Sequence, residues 1–454
     1  MDTVVLARAF FGTSLAFHII FATLGVGIPL LIVIAEILHQ VKKDNDYAIM
    51  AKRWTKAFAV LLGVAIPSGT IVGVQLSLLW PGFMEIVGKV ISLPFQVEIF
   101  AFFIEALFMS IYVYAADRLP KAFRILSVIL VAFGAVASAI LITAVNTWMN
   151  TPAGFQIASD GTIYDVHPWT AFFNPSFLSS AFHVAVTAYM TGGFAVASVA
   201  AYKLLKRKKR TAQEITYHKK GFLLALIVGL TFSLISSISG HHSAQVLHEH
   251  SPEKLAAAEG LFKSQRYAPL AIGGFTDPKT ESVKYGIEIP WMLSWLAAGK
   301  FDTKVKGLYE FPRETWPPFY VHTLFNIMVG IGFFLLALAA FSLVWMYYTK
   351  RKKRGFPKWL LVVLIFSGPL SMLGIEFGWI FSCSGRQPWT IYKVQTTSEA
   401  ATQSTNLGGL FLLFIGLYVL LGALTILILT SYFKRHPVYK EFEKYSGYEE
   451  KGSS

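Results

Sequence analysis

The chain has little charge and a single cysteine, and each shortage excludes something. Of its 454 residues only 15% are charged and 54% are hydrophobic. A soluble domain carries about 25% charged residues, so this chain reads as a polytopic membrane protein. The lone Cys383 rules out an intramolecular disulfide and a cysteine-based metal or iron–sulfur site. There is no phosphate-binding P-loop, no nucleophile elbow and no dinucleotide fingerprint after a strand. Internal repeats of short period and low-complexity tracts are lacking too. What remains is apolar sequence with a few ionisable residues set inside it.

Nine apolar runs reach the ~20 residues needed to cross a bilayer as helices. They fall near 9–39, 57–80, 95–116, 122–148, 176–202, 221–243, 319–348, 359–383 and 405–433. The expected fold is all-α, with about nine transmembrane helices. The first run is long and lacks a cleavage site, so it reads as a retained helix. The expected division is 1–243 for helices one to six, 244–317 for an extracytoplasmic loop, 318–433 for helices seven to nine and 434–454 for a tail. A loop as long as 244–317 is itself a functional candidate.

The formal net charge of +14 resembles a nucleic-acid signal, but topology explains it. Alternate connections, at 40–56, 117–124, 203–220, 349–358 and after 433, hold 27 of the 40 Lys and Arg. The short connections on the other side hold almost none, and the nine basic residues of 244–317 are balanced by nine acidic ones. The positive-inside rule then puts the N-terminus outside and the C-terminus in the cytoplasm. The runs KLLKRKKR and KRKKRGFPK read as membrane anchors, with no nucleic acid implied.

Ionisable groups inside lipid are costly and mark function. Here they are His18, His183, Glu98, Glu105 and Glu376, with Met328 beside them. At 1.5 Å rise per residue, five of the six lie about 10–20 Å from the outer face, and Glu98 about 5 Å. His, Met and carboxylate side chains can all be axial haem ligands. Each has a plainer reading. A histidine in an apolar helix more often bonds a neighbouring helix, and a methionine more often packs. The set at one depth is more specific than any member. Glu98 and Glu105, seven apart, share a helix face that, with Phe100, Phe102 and Phe103, could lie against a flat macrocycle or against other helices.

Several segments together resemble subunit I of the cytochrome bd family of quinol oxidases, over nearly the whole chain. They are GRQPW at 385–389 after GIEFGW, FAFFIEALF at 100–108, FNIMVG at 325–330, FHIIFATLGVG at 17–27 and SPEKLAAAE at 251–259. The modest loop points to the short-loop branch. The resemblance implies a haem-bearing subunit of a terminal oxidase in a bacterial or archaeal plasma membrane. Quinol would be oxidised at the outer face and dioxygen reduced to water with protons from the cytoplasm.

It further implies three haems: a low-spin haem b on His183 and Met328, a high-spin haem b, and haem d or a third haem b. His18 and Glu376 would serve the high-spin pair, with Glu98 close to it. Trp379 would stand between haems, and Arg386 would face a propionate. Lys254 and Glu259 match the quinol-site pair, with Glu288 and Pro290 helping to shape that site. Lys56, Glu105, Ser138 and Asn146 lie on a plausible inward proton route. Implied partners are a second, haem-free membrane subunit and a small one-helix subunit.

Three departures stand out. Cys383 replaces an acidic residue common in relatives, Asn326 replaces a charged one, and RAFFGTS opens the first helix where relatives often have RIQF. Among the other histidines, His241, His242, His248 and His250 cluster in GHHSAQVLHEH, a spacing that fits no standard zinc motif. His322 is a rival to His183. The alternative functions are a membrane haem b carrier that oxidises quinol without reducing dioxygen, and a proton-coupled transporter built on the three glutamates.

Overall fold

A computed structural model describes residues 2–115, 118–206, 211–350, 355–404 and 406–443. The basic runs at 207–210 and 351–354, and the tail beyond 443, lie outside the described residues. Within them, nine helical spans are long and apolar enough to cross a membrane. They are α1 (Thr3–Lys42), α2 (Asn45–Leu79), α4 (Leu93–Ala115), α5 (Lys121–Asn150), α7 (Phe177–Leu205), α8 (Ala212–His250), α11 (Tyr320–Lys350), α12 (Lys358–Ile365) continued by α13 (Ser367–Ser384), and α15 (Leu407–Arg435). Short helices fill the connections: α3 (Pro81–Val90), α6 (Pro168–Phe172), α9 (Pro252–Glu259), α10 (Met292–Ala298) and α14 (Thr397–Ala400).

The helices outrun the apolar runs. α1 is 40 residues long, about 60 Å against a hydrocarbon core of ~30 Å. α2 starts at Asn45 where the hydropathy pattern starts at 57. The polar first turns of α2 hold because the Asp44 side chain accepts from the Asp46 N–H, and Lys220 of α8 donates to both Asp44 and Asp46. Hydropathy reports only the part of a helix that lipid covers. The predicted loop 40–56 thereby shrinks to a two-residue link, Lys43 and Asp44. At the same basic end Arg53 donates to the His436 carbonyl, which ties α15 to α2.

α7 packs against α1, α5, α8, α12 and α13. Close approach is possible because it carries two glycines on two faces. A Cβ on Gly192 would lie 2.6 Å from the Gly27 carbonyl carbon of α1, and one on Gly193 would lie 2.7 Å from the Gly229 nitrogen of α8. Small residues at such crossings are how membrane helices pack without a hydrophobic drive between them. α11 packs on α8 and α13 but not substantially on α7. The four helices therefore form a quartet with α7 and α11 on one diagonal.

The eighth run is broken at Phe366, which separates α12 from α13. Pro369 has no N–H to bond the Ile365 carbonyl four residues back. The Ser198 hydroxyl of α7 donates to that carbonyl instead. A freed backbone acceptor at membrane depth is thus satisfied by a neighbouring helix.

At the end away from the basic loops, the long connection is ordered structure. α8 runs on to His250, so the connection proper begins at Ser251. α9 follows at once, then nested antiparallel pairs: β3 (Leu270–Ile272) with β6 (Ile287–Ile289), enclosing β4 (Phe275–Asp277) with β5 (Ser282–Lys284). The 384–406 connection folds as the pair β7 (Trp389–Ile391) and β8 (Gln395–Thr396) followed by α14. A smaller hairpin, β1 (Gln156–Ile157) with β2 (Ile163–Tyr164), completes this end.

Candidate functional site

Both intramembrane histidines are held by the same device. His18 Nδ1 lies 3.0 Å from Ser68 Oγ of α2, and His183 Nδ1 lies 2.8 Å from Ser239 Oγ of α8. A serine hydroxyl has one proton to give. Ser68 gives its proton to the Ala65 carbonyl at 3.0 Å, and Ser239 gives its proton to the Ser236 carbonyl at 3.1 Å. With its proton on the carbonyl, each Oγ can accept from the Nδ1–H of the imidazole. The lone pair is left on Nε2, the tautomer a metal requires. Neither Nε2 has a hydrogen-bond partner among the described residues.

Glycines make room around these side chains. A Cβ on Gly69 would lie 2.9 Å from His18 Cε1, and one on Gly240 would lie 3.5 Å from His183 Cε1. Met328 on α11 turns toward α13, where a Cβ on Gly378 would lie 3.0 Å from its Sδ. His183 and Met328 thus stand on the diagonal helices of the quartet, with α8 and α13 on either side. His18, His183, Met328, Glu376 and Trp379 are all half-buried, and Glu376 Oε1 is a buried oxygen without a partner. These donors do not coordinate as a set on their own. Among the described residues no group of three or more His, Cys, Asp or Glu could hold a metal ion. One or two donors per helix pair fit an iron carried by a macrocycle.

The acidic residues of α4 share the face that meets α5. Glu105 is 6% exposed and packs against Gly134 of α5. Glu98 is half-buried and accepts from the Ser138 hydroxyl at 2.5 Å. Phe100 and Phe103 point the other way and are 68% and 61% exposed. The idea that they line one macrocycle-packing face with the glutamates is corrected, since positions two and five after Glu98 lie well round a 3.6-residue helix.

Seven residues beyond Glu105, the Tyr112 hydroxyl donates to Glu36 of α1, and Arg124 of α5 pairs with the same carboxylate at 2.9 Å. Sequence reading missed this buried triad. A Glu near a positive loop looks like an ordinary helix end, and its partners are 76 and 88 positions away. Lys56 is half-buried on α2, and Asn146 accepts from Ser382 at 3.2 Å.

At the far end, α9 is buried on nearly every side. Lys254 is 6% exposed and donates to Asn150 Oδ1 and to the Ser382 carbonyl, each at 2.9 Å. Its Nζ also lies 5.1 Å from the Phe381 ring centre. Arg386 stands beside it, also 6% exposed, with NH1 buried and unpartnered. Burial and the neighbouring guanidinium pull the Lys254 ammonium down to about 7, and burial lowers Arg386 as well. Glu259 does not pair with Lys254 among the described ion pairs; five residues apart on a helix, they diverge. Burial alone raises the Glu259 carboxyl to about 8. Glu288 is exposed on β6.

His322 proves to be a clamp. Its Nδ1 lies 2.8 Å from the Ala258 carbonyl and its Nε2 3.1 Å from the Gly273 carbonyl. A neutral ring donates to one of these carbonyls at a time, and with both nitrogens facing backbone it is no rival to His183. One turn on, Asn326 Oδ1 accepts from the Gly273 N–H at 2.7 Å. That explains the departure at Asn326, which fastens the turn between β3 and β4 to α11. The histidine cluster at the end of α8 does not gather; His241 stacks on Trp295 with centres 5.6 Å apart.

The fold and site define a multi-pass membrane protein that presents histidine, methionine and carboxylate side chains between helices. The profile of the family described as cytochrome bd terminal oxidase subunit I matches residues 6–437, and the chain belongs to that family. A Bacillus subtilis (strain 168) protein, "Putative cytochrome bd menaquinol oxidase subunit I", is 59% identical over 96% of this chain and 98% of its own length. The same organism's cytochrome bd ubiquinol oxidase subunit 1 is 34% identical over 96% and 94%. The solved bd oxidase from Geobacillus thermodenitrificans superposes with a TM-score of 0.89 at 40% identity, over 96% of this chain and 99% of that one. The chain is accordingly a membrane-embedded, respiratory quinol:oxygen oxidoreductase subunit of a haem-bearing family.

Proposed function

We propose that this chain is the subunit in which quinol is oxidised at the 251–319 segment and dioxygen is reduced to water inside the helices. His183 and Met328 would hold a low-spin haem b. His18 and Glu376, with Glu98 close by, serve a high-spin pair, haem b with haem d or a third haem b. The observation that carries this reading is the tautomer. Two serines engage both histidines at Nδ1, which leaves each Nε2 for a metal. Haem iron, when bound, supplies one-electron transfer and, where a coordination position stays open, dioxygen binding.

The remaining chemistry belongs to protein side chains. Glu259, with its carboxyl near 8, accepts a proton from quinol. Lys254 and Arg386 are two buried cations whose hydrogen bonds all go to neutral groups, and Cys383 stands beside them where relatives often carry an acid. Arg386 NH1, orphaned and buried, suits a haem propionate, the bidentate carboxylate it lacks within the chain. Dioxygen reduction also consumes protons. The line Arg124–Glu36–Tyr112, then Glu105, then Glu98 with Ser138, leads from the basic end toward the His18 region along one face of α4. With the N-terminus outside, as the basic loops favour, those protons come from the cytoplasm.

The exposed apolar faces of α4 and α15, such as Ile99, Phe100, Leu412 and Val419, suit a second, haem-free membrane subunit and lipid. A small one-helix subunit fits the same setting.

The test is a dithionite-reduced minus oxidised spectrum of the purified complex, repeated with carbon monoxide. Low-spin haem b bands together with a carbon-monoxide-sensitive component are expected, and a far-red band would identify haem d. A single haem unresponsive to carbon monoxide would leave only the electron-carrier reading, and a colourless complex would sink both.

A further inference from the structure

One cavity is used by none of this chemistry. It measures about 410 Å³ and lies where the start of α1, the end of α2, the 402–407 connection and the start of α15 meet. This size falls in the ~300–1,000 Å³ range of small-molecule sites. Its walls are mostly apolar: Phe10, Val74, Leu78, Leu407 and Phe414 among them. Val74 and Leu78 are 54% and 58% exposed, so the cavity opens sideways, toward the surface where lipid or a partner subunit would lie. Its interior holds one unmet polar group. Gln75 is 3% exposed, and neither its Oε1 nor its Nε2 has a hydrogen-bond partner. The Tyr418 hydroxyl stands beside Gln75 and Ser14 without closing a well-formed hydrogen bond to either. The neighbouring hydroxyls are already committed: Ser14 donates to the Phe10 carbonyl and Thr70 to the Ile66 carbonyl.

A buried amide left unmet costs about 1–3 kcal/mol, so a ligand that answers it is favoured. Among the described residues no cation lines the cavity, which disfavours the anionic head of a phospholipid. A bare acyl tail would leave Gln75 unmet. A neutral ring with a carbonyl or hydroxyl oxygen and an apolar tail satisfies both conditions. We propose that this cavity binds a membrane quinone or quinol, with one ring oxygen on the Gln75 amide. It is a second site, packed in a different apolar cluster from α9. The choice of quinone among neutral lipids rests on the quinol-oxidase reading.

The experiment uses the intact complex in mild detergent. Bound quinone is extracted and counted per haem, and a photoactivatable azidoquinone is crosslinked and its peptides mapped. The variants are Gln75→Leu, which removes the amide, and Leu78→Trp, which fills the mouth without touching the amide. The expected result is label in α2 or α15 peptides in addition to the 251–319 segment. Gln75→Leu should weaken cavity retention about two- to tenfold, the worth of one hydrogen bond. Leu78→Trp should abolish cavity label while haem content and label in the 251–319 segment persist. Label confined to the 251–319 segment, or a phospholipid or partner-subunit side chain found in the cavity, overturns the proposal and leaves the function standing. Absence of both labels together with absence of oxidase turnover would instead overturn the quinol-oxidase reading itself.

Discussion

His18 and His183 are held alike and face different things. Each donates from Nδ1 to a serine on the next helix in sequence, and each has a glycine against its ring. Across the quartet from His183 stands a thioether, Met328, on the diagonal helix. In the proposed function His18 is grouped instead with two carboxylates, Glu98 on α4 and Glu376 on α13. A histidine with a soft second ligand closes both axial positions and suits electron transfer. A histidine among carboxylates leaves room for a substrate and for protons. Under the proposed function, one local device would serve two tasks, and the opposite wall would decide which.

The sharpest way to break this comparison is to remove each ring in turn. His183→Ala should erase the low-spin bands and keep a carbon-monoxide response. His18→Ala should do the reverse, and both should abolish turnover. If both variants lose the same bands, the two centres are not distinct in the way described.

Supply of electrons can be separated from their use. Glu259 must be ionised to take a proton, and its carboxyl sits near 8. Quinol kcat/KM should therefore rise with pH and level off above about 8. Glu259→Gln should slow quinol-driven reduction ~10²–10⁴-fold and remove that inflection. Reoxidation of pre-reduced enzyme by dioxygen should be unchanged in a stopped-flow measurement. A retained inflection would place the proton acceptor elsewhere.

The serines give a smaller effect of the same kind. Ser68→Ala and Ser239→Ala should each cost ~10–100-fold in haem retention or activity, as loss of ligand-orienting partners does. Ser239→Ala should shift the midpoint potential of the low-spin centre alone, read by redox titration.

The glycines distinguish the two sites most finely. Gly69→Ala brings a Cβ to 2.9 Å from the His18 ring and should destabilise the protein by about 1 kcal/mol, the low end for overpacking. Gly240→Ala, at 3.5 Å, should be near neutral in thermal unfolding.

Much of this was legible in the sequence, because the membrane imposes a simple code. Nine apolar runs match nine spans among the described residues, and His18, His183, Met328 and Glu376 are all half-buried on them. Helix ends were not legible. The polar start of α2 is helical because Lys220, far along the chain, braces it. Ser68 and Ser239 were missed for the same reason, since serines are common and their partners are fifty or more residues away. The divergence of Lys254 from Glu259 followed from helical spacing alone and was readable. The clamp at His322 was not, since it bonds backbone, which carries no sequence signal.

The break at Phe366 has a consequence for how this chain can vary. α13 carries Glu376 and is pinned to α7, where Thr191 and Ser371 bond at 2.8 Å; the end of α12 is held separately, where Ser198 caps the Ile365 carbonyl. α12, on the other side of the break, leads to the basic linker. The two rods share no continuous ladder of hydrogen bonds. An insertion or deletion in the linker should be absorbed as a rotation of α12, with the carboxylate keeping its height and heading. The joint acts as a mechanical fuse between a tolerant loop and an intolerant ligand.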